Sequence, residues 1–207
     1  DALPILTALV VGLGNRDVTP DALGPDVVSN LRITRHVIQE YGVQSMGKEY
    51  ANSISGLVPG VMAQTGMETL EIIRGVVDET KPDVVFAIDA LAARSTKRLN
   101  RTIQITDTGI NPGSGVGNHR NGLSEETLGV KVIGIGVPTV VDAATIVQDS
   151  MAHLLDTLEE SEKKEFLEEM ISPSLHSMFV TPKDVDETVK RLSYTISEGL
   201  NMAFEQA

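Results

Sequence analysis

The chain has 207 residues, is 41% hydrophobic and contains no cysteine, so it can fold around a sizeable core but cannot form a disulfide, a thiolate metal site or a cysteine nucleophile. No apolar run approaches the roughly 18 residues that a membrane span requires and no signal-peptide pattern is present, so we expect a cytoplasmic protein without a membrane partner. Residues 142–207 carry 14 acidic and 5 basic side chains and so contribute −9 to the net charge of −12, which argues against nucleic acid as a direct ligand.

The first part of the chain alternates apolar runs with amphipathic ones. Residues 6–13 are apolar and β-branched and predict a buried strand. A Thr-Pro-Asp sequence is typical of a helix start, so we predict a helix over residues 19–38 with Thr19 as its N-cap. Residues 42–62 are rich in glycine, serine and proline and predict a loop. A strong amphipathic helix is predicted over residues 65–80.

The next part repeats this alternation. The apolar run Val84 to Ile88 predicts a second buried strand that places Asp89 at its carboxyl end. A short strand is predicted over residues 102–105, a third buried strand over 131–137 and a helix over 139–158. Continuous apolar strands that alternate with helices predict an α/β fold, with a mostly parallel sheet covered by helices on both faces.

The C-terminal part is predicted to be helical, with no strand after Leu158. A charged helix is expected over residues 160–170 and a last helix begins near residue 181. We therefore predict an α/β catalytic core over residues 1–158 and a helical C-terminal extension over residues 159–207, packed on the same domain. The last helix carries an apolar stripe formed by Val185, Val189, Leu192, Ile196, Leu200 and Phe204.

Three acidic residues are expected at the carboxyl ends of the strands, where parallel sheets place their ligands: Asp21, Asp89 and Asp142. Asp89 follows an apolar strand directly, so we expect it to be desolvated. Two neighbouring buried carboxyl groups can share one proton, so that one activates water while the other protonates a leaving group. Each acid also has a purely structural interpretation, since Asp21 and Asp142 could each stabilise a helix start and Asp89 could be a buried structural acid.

Other patterns give weaker indications. The Gly-Leu-Gly sequence at residues 12–14 lacks the third glycine of a dinucleotide fingerprint, because that position is Asp17. Ser114 lies in a glycine-rich loop over residues 111–118 but lacks the flanking glycines of a nucleophile elbow. The histidines show no metal-ligand spacing, and we retain only His119, next to this loop, as a candidate for a role at the site.

Six strings resemble the germination protease family of spore-forming bacteria, and they occur in the family's order. They are GLGNRDVTPDALGP (12–25), TRH (34–36), PGVMAQTGMET (59–69), KPDVVFAIDALAARS (81–95), ITDTGINPGSGVGN (105–118) and GVPTVVDA (136–143).

The resemblance implies an endopeptidase that degrades the small, acid-soluble, DNA-protecting proteins of the spore core during germination. It also implies an inactive precursor, a homotetramer and a fold similar to that of the hydrogenase maturation peptidases. The two essential aspartates of the family fall on Asp21 and Asp89. We add Asn15, Thr19, Asp142 and His119 as supporting candidates. In the maturation peptidases the corresponding acids and a histidine bind a metal. This chain offers no clear counterpart of that histidine, so no metal and no cofactor is expected.

Our leading hypothesis is hydrolysis of a peptide bond by water activated at the Asp21/Asp89 pair. The alternatives are a metal-dependent peptidase that uses the same acids, a non-catalytic binding protein with this fold, and a nucleotide-binding protein that uses the glycines of the first loop.

Overall fold

A computed structural model gives the fold, with a six-stranded sheet as its centre. It describes residues 6–47, 51–113, 121–152, 159, 162–163, 167 and 171–206. The strands are β1 (Thr7–Gly12), β2 (Ser53–Leu57), β3 (Val84–Ala93), β4 (Gln104–Thr106), β5 (Lys131–Asp142) and β6 (Phe179–Val180). The strand order is β2-β1-β3-β5-β4, with β6 also paired to β5. β1, β2, β3 and β5 are parallel, whereas β4 and β6 run antiparallel to β5.

Helices cover both faces of this sheet, as predicted. They are α1 (Leu23–Ser29), α2 (Arg35–Tyr41), α3 (Met62–Thr65), α4 (Thr69–Thr80), α5 (Glu125–Leu128), α6 (Ala143–Ser150) and α7 (Val185–Gln206). One core cluster joins α1 and α7 to β1, β3 and β5. The other joins α4 and α5 to the opposite face of the same strands. The α/β class with a mostly parallel sheet is therefore confirmed.

The sheet is stepped at its carboxyl end. β1 stops at Gly12, which pairs with Ile88, whereas β3 and β5 stay paired up to Ala93 and Val141. Our prediction that the second apolar strand ends at Ile88 was therefore wrong, because β3 continues along β5 after β1 has ended. Asp89 lies inside β3, at the first residue beyond the end of β1.

The single helix predicted over residues 19–38 is also wrong. Residues 19–21 form a 3₁₀ turn, and α1 and α2 follow as separate short helices. Thr19 is not an N-cap, since Val18 precedes the turn and no side chain caps it. The break between α1 and α2 is fixed by tertiary bonds, because Thr34 donates its backbone N–H to Ile54 O and its hydroxyl to Asn52 O.

The predicted loop over residues 42–62 contains β2 and the start of α3. The β2 sequence Ser-Ile-Ser-Gly-Leu has too few apolar residues to stand out as a strand. It forms because its backbone pairs in register with β1, from Thr7 opposite Ser53 to Val11 opposite Leu57.

The helix predicted to begin near Thr139 begins at Ala143, because β5 continues through Pro138 to Asp142. A β-bulge directly after Pro138 accompanies this continuation of the strand. The prediction that no strand follows Leu158 was wrong as well, since the two-residue strand β6 pairs with the end of β5. The charged helix predicted over residues 160–170 lies almost wholly outside the described residues.

The last helix was predicted correctly and is the longest in the described part of the chain. Its apolar stripe packs into the core cluster on the α1 face, where the rings of Phe204 and Phe86 meet edge to face at 5.4 Å. Asn201 accepts a hydrogen bond from the backbone of Arg32 and donates one to Asn30 O, which joins α7 to the end of α1. No described helix is long and apolar enough to cross a membrane.

Candidate active site

A cavity of about 330 Å³ lies at the step in the sheet, where β3 and β5 extend beyond β1. The described residues that line it are mostly apolar, and the polar side chains among them are two carboxylates, one amide and one hydroxyl. The lining residues are Val18, Pro20, Asp21, Asp89, Ala90, Leu91, Ala92, Asn111, Gly113, Thr139, Val140 and Phe179. The cavity thus brings the two predicted catalytic aspartates to one site.

Asp21 is held by the loop that follows β1. Its carboxylate accepts a hydrogen bond of 2.8 Å from the backbone N–H of Asn15, and its own carbonyl accepts from the same N–H at 3.2 Å. Gly14 has φ +111° and lies directly against Asp21, since a Cβ there would be 2.1 Å from Asp21 O. The glycine therefore gives the Asp21 carboxylate its place beside the loop backbone.

A second glycine contact fixes the helix that follows Asp21. A Cβ on Gly12 would lie 2.2 Å from Gly24 O, and a Cβ on Gly24 would lie 2.4 Å from Leu13 O. The start of α1 therefore packs backbone against backbone on the end of β1. The Gly-Leu-Gly sequence serves this close approach, which explains its glycines without a nucleotide.

Asp89 is buried, as expected from its position after an apolar run, with 5% of its surface exposed. It pairs in register with Gly136 of β5. Leu91, two residues along β3, packs over the same glycine, because a Cβ on Gly136 would be 2.4 Å from Leu91 Cδ1. The missing side chain on β5 therefore makes room for the β3 residues that line the cavity.

Thr139 connects β5 to the Asp21 turn, and our sequence analysis missed it. Leu91 pairs with Pro138 and Ala92 with Val140, so Thr139 is the extra residue of a β-bulge. Its hydroxyl donates a 2.6 Å hydrogen bond to the carbonyl of Pro20, and its side chain is almost fully buried. No sequence pattern marks this residue, because the bond joins positions that are 119 residues apart.

We expect Thr139→Val to destabilise the protein by about 0.5–1.5 kcal/mol, because it removes the hydrogen bond to the partly buried Pro20 carbonyl. Catalysis by the predicted aspartate pair should fall as well, since the turn that carries Asp21 loses its bond to β5. Thr139→Ser keeps the hydroxyl and should restore most of both. Urea unfolding and kcat measured on the same preparations test this expectation, and a Val variant with unchanged kcat would contradict the positioning role.

The supporting candidates have different outcomes. Asp142 caps α6, because its carboxylate accepts bonds from the backbone N–H and the hydroxyl of Thr145, and it does not line the cavity. Asn15 acts on Asp21 through its backbone, while its side chain accepts a bond from the Asp17 N–H. Thr19 lies in the 3₁₀ turn but does not line the cavity. His119 lies outside the described residues.

Asp149 anchors the turn beyond the end of β3. Its carboxylate accepts bonds from the backbone N–H of Thr96 at 2.6 Å, the Thr96 hydroxyl at 2.7 Å and the Ser95 hydroxyl at 3.1 Å. The two bonds from Thr96 are the main reason why the pKa of Asp149 is lowered from an aspartate's ordinary value. The long strand that carries Asp89 is thereby fixed to α6 at its far end.

Asp149→Asn should lower the free energy of unfolding at neutral pH, because it weakens these three bonds. A carboxyl group whose pKa is lower in the folded state stabilises the fold above its unfolded pKa, and this contribution is lost as the pH falls through the folded pKa. The stability gap between wild type and variant should therefore narrow as the pH falls below about 4. Urea unfolding across this range tests the expectation, and a gap that stays constant would contradict it.

Within the described residues, no three acidic or histidine side chains form a set that could hold a metal ion. The arrangement instead offers two carboxylates in a largely apolar cavity, one of them buried inside a strand and the other held by a loop backbone. Such a pair suits general acid and base chemistry on a bound substrate.

The comparisons with known proteins agree with one another. A family model described as germination protease matches residues 5–158 and 150–207. The germination protease of Caldanaerobacter subterraneus subsp. tengcongensis is 50% identical over 214 residues, and the match covers 95% of this chain and 65% of that protein. Those of Clostridium tetani and Bacillus subtilis are 47% and 43% identical, over 98% and 97% of this chain and 67% of each relative. The chain thus spans about two thirds of the length of these relatives.

Among solved structures, a [NiFe] hydrogenase maturation protease, HycI from Thermococcus kodakarensis, superposes with a TM-score of 0.42 at 18% identity. The superposition covers 93% of this chain and 90% of that one.

Proposed function

Since this chain belongs to the germination protease family, we propose that it is an endopeptidase that hydrolyses the small, acid-soluble, DNA-protecting proteins of the spore during germination. The observation that supports this proposal most directly is that Asp21 and Asp89 line the same cavity. Family membership supports the kind of reaction, and the cavity supports these residues as its centre.

In the proposed mechanism a water molecule attacks the scissile carbonyl without a covalent intermediate. One carboxylate of the pair accepts the proton of the water, and the other protonates the leaving amine. The apolar walls lower the polarity around these groups, which strengthens their electrostatic interactions. The Asn15 N–H and the Thr139 hydroxyl hold the Asp21 turn, so that its carboxylate does not have to be ordered when the substrate binds.

The remaining parts of the proposal follow the family resemblance. We propose that the protein acts in the spore core, is made as an inactive precursor and works as a homotetramer, without a direct nucleic-acid or membrane partner. Sedimentation of the purified protein tests the tetramer, because a tetramer and a monomer differ fourfold in mass.

The reaction itself is tested by incubating the purified protein with a small, acid-soluble spore protein and sequencing the new N-termini. We expect cleavage at a few internal sites, at a rate that exhaustive chelation leaves unchanged. A rate that disappears on chelation and returns with a divalent cation would replace the aspartate mechanism by a metal-dependent one. If the folded protein binds the spore protein but does not cut it, this result would instead support a non-catalytic role.

A further inference from the structure

β3 extends beyond the end of its neighbour β1 at the step in the sheet. The N–H of Leu13, the residue directly after β1, donates a hydrogen bond of 2.8 Å to the carbonyl of Ile88 in β3. Backbone groups of successive strand residues point alternately to the two sides, so those of Ala90 and Ala92 face the same edge as Ile88. Within the residues that the structure describes, no strand pairs with β3 on this side beyond Ile88.

The chain after β1 turns away from this edge. A β1 strand that continued in register would bring the N–H of Asn15 to the carbonyl of Ala90. That N–H is bonded instead to the carbonyl and carboxylate of Asp21. The loop that orients Asp21 is thus also the loop that leaves the β3 edge open.

The open edge forms part of the cavity. Ala90, Leu91 and Ala92 line it next to Asp89, and all three are only partly buried. Asp89 precedes these residues on β3 and Asp21 lines the same cavity, so a polypeptide that lies along this edge would pass close to both carboxylates. Alternating N–H and C=O groups along a strand edge match the backbone of another extended chain.

We propose that the substrate polypeptide binds as an additional β-strand on the β3 edge beyond Ile88, hydrogen-bonded to the backbone of Ala90 and Ala92. This inference rests on the proposed peptidase function. It makes backbone conformation a requirement for cleavage, so a substrate segment must be extended over several residues on the enzyme. Substrate residues that bond to the edge are two apart, a spacing of about 7 Å along the strand.

The test uses a synthetic peptide that spans a cleavage site mapped in a small, acid-soluble spore protein, with unmodified enzyme. Single N-methyl groups are introduced at successive peptide positions, each of which removes one N–H donor. We expect kcat/KM to fall at least about fivefold for every second position and to change little at the positions between, since one net hydrogen bond is worth about that factor. Peptides methylated at the intervening positions, where little change is expected, serve as the matched controls.

Amide hydrogen exchange provides a second measurement on the enzyme itself. In the Asp89→Asn variant, which should leave the peptide intact, binding should slow exchange of the Ala90 and Ala92 amides. The Ala93 amide faces β5 and should not change. The unmethylated parent peptide separates failure of the strand-addition inference from failure of the proposed function. If this peptide is neither bound nor cut, the proposed function itself is refuted.

If the parent peptide is cut but methylation shows no two-residue period, or if Ala90 and Ala92 gain no protection, the strand-addition inference alone is wrong. Ala90 and Ala92 amides that are already protected without peptide would show that the edge pairs within the protein or with a second copy, and would also overturn it.

Discussion

Asp89→Asn is expected to lower the rate of peptide cleavage by about 10²- to 10⁴-fold, the usual contribution of a positioned acid or base. The amide has nearly the same size as the carboxyl group but cannot exchange a proton. Asp89 is buried inside β3, so the substitution should change the chemistry of the cavity more than its shape. Cleavage of a spore-protein peptide under saturating conditions measures the loss as a fall in kcat.

Asp21→Asn should cause a loss of similar size, and the double variant should be little slower than the slower single one, because two residues that act as a unit are not additive. Asp78→Asn is the matched control. It makes the same chemical change on an exposed part of α4, where the carboxylate forms an exposed ion pair with Lys81. Near-normal cleavage by either cavity variant, with a normal control, would rule out the proposed mechanism.

Gly24→Ala should both destabilise the fold by about 3 kcal/mol or more and remove most of the activity. A Cβ on Gly24 would lie 2.4 Å from Leu13 O, 2.6 Å from Leu13 N and 2.7 Å from Ile88 O. All three are backbone atoms, two of Leu13 directly after β1 and one of Ile88 in β3, so relief requires α1 to move away from the sheet. Because α1 begins two residues after Asp21, this movement would displace the carboxylate as well.

Gly75→Ala is the control for this change. Gly75 lies inside α4, and nothing stands within 4 Å of the position of its missing Cβ. Alanine should therefore be neutral there or stabilising by up to about 1 kcal/mol, since it favours a helix over glycine. Chemical denaturation of both variants measures the difference, and equal stabilities would show that α1 does not depend on the glycine contact.

Strands with strong apolar patterns and the long C-terminal helix were predictable from sequence because burial itself selects their residues. β1, the first half of β3 and the stripe of α7 are of this kind. β2 and β6 were missed because backbone pairing with a neighbour defines them, and their own side chains are partly polar or exposed. The start of α6 was misplaced because a bulge lets β5 continue through Pro138, which local sequence rules treat as a strand end.

The residues of the candidate site also divide into those that local sequence indicates and those that only tertiary contacts reveal. Asp89 was identified from its position after an apolar strand, whereas Asp21 needed the family resemblance, because an acid at a helix start is common. Thr139 could not have been identified, because its bond to Pro20 depends on how β5 and the first loop meet in space.

The sequence by itself determined that the protein has an α/β fold, that it resembles the germination proteases and that Asp21 and Asp89 are its candidate catalytic acids. Residue type, apolar runs and short characteristic strings are local properties, and they carried these conclusions. Only the tertiary structure decided that Asp89 lies inside a strand and that both acids line one cavity. It also decided that, in the described part of the chain, no strand pairs with the β1 side of β3 beyond Ile88. These features depend on where one strand ends relative to its neighbours, which no local pattern specifies.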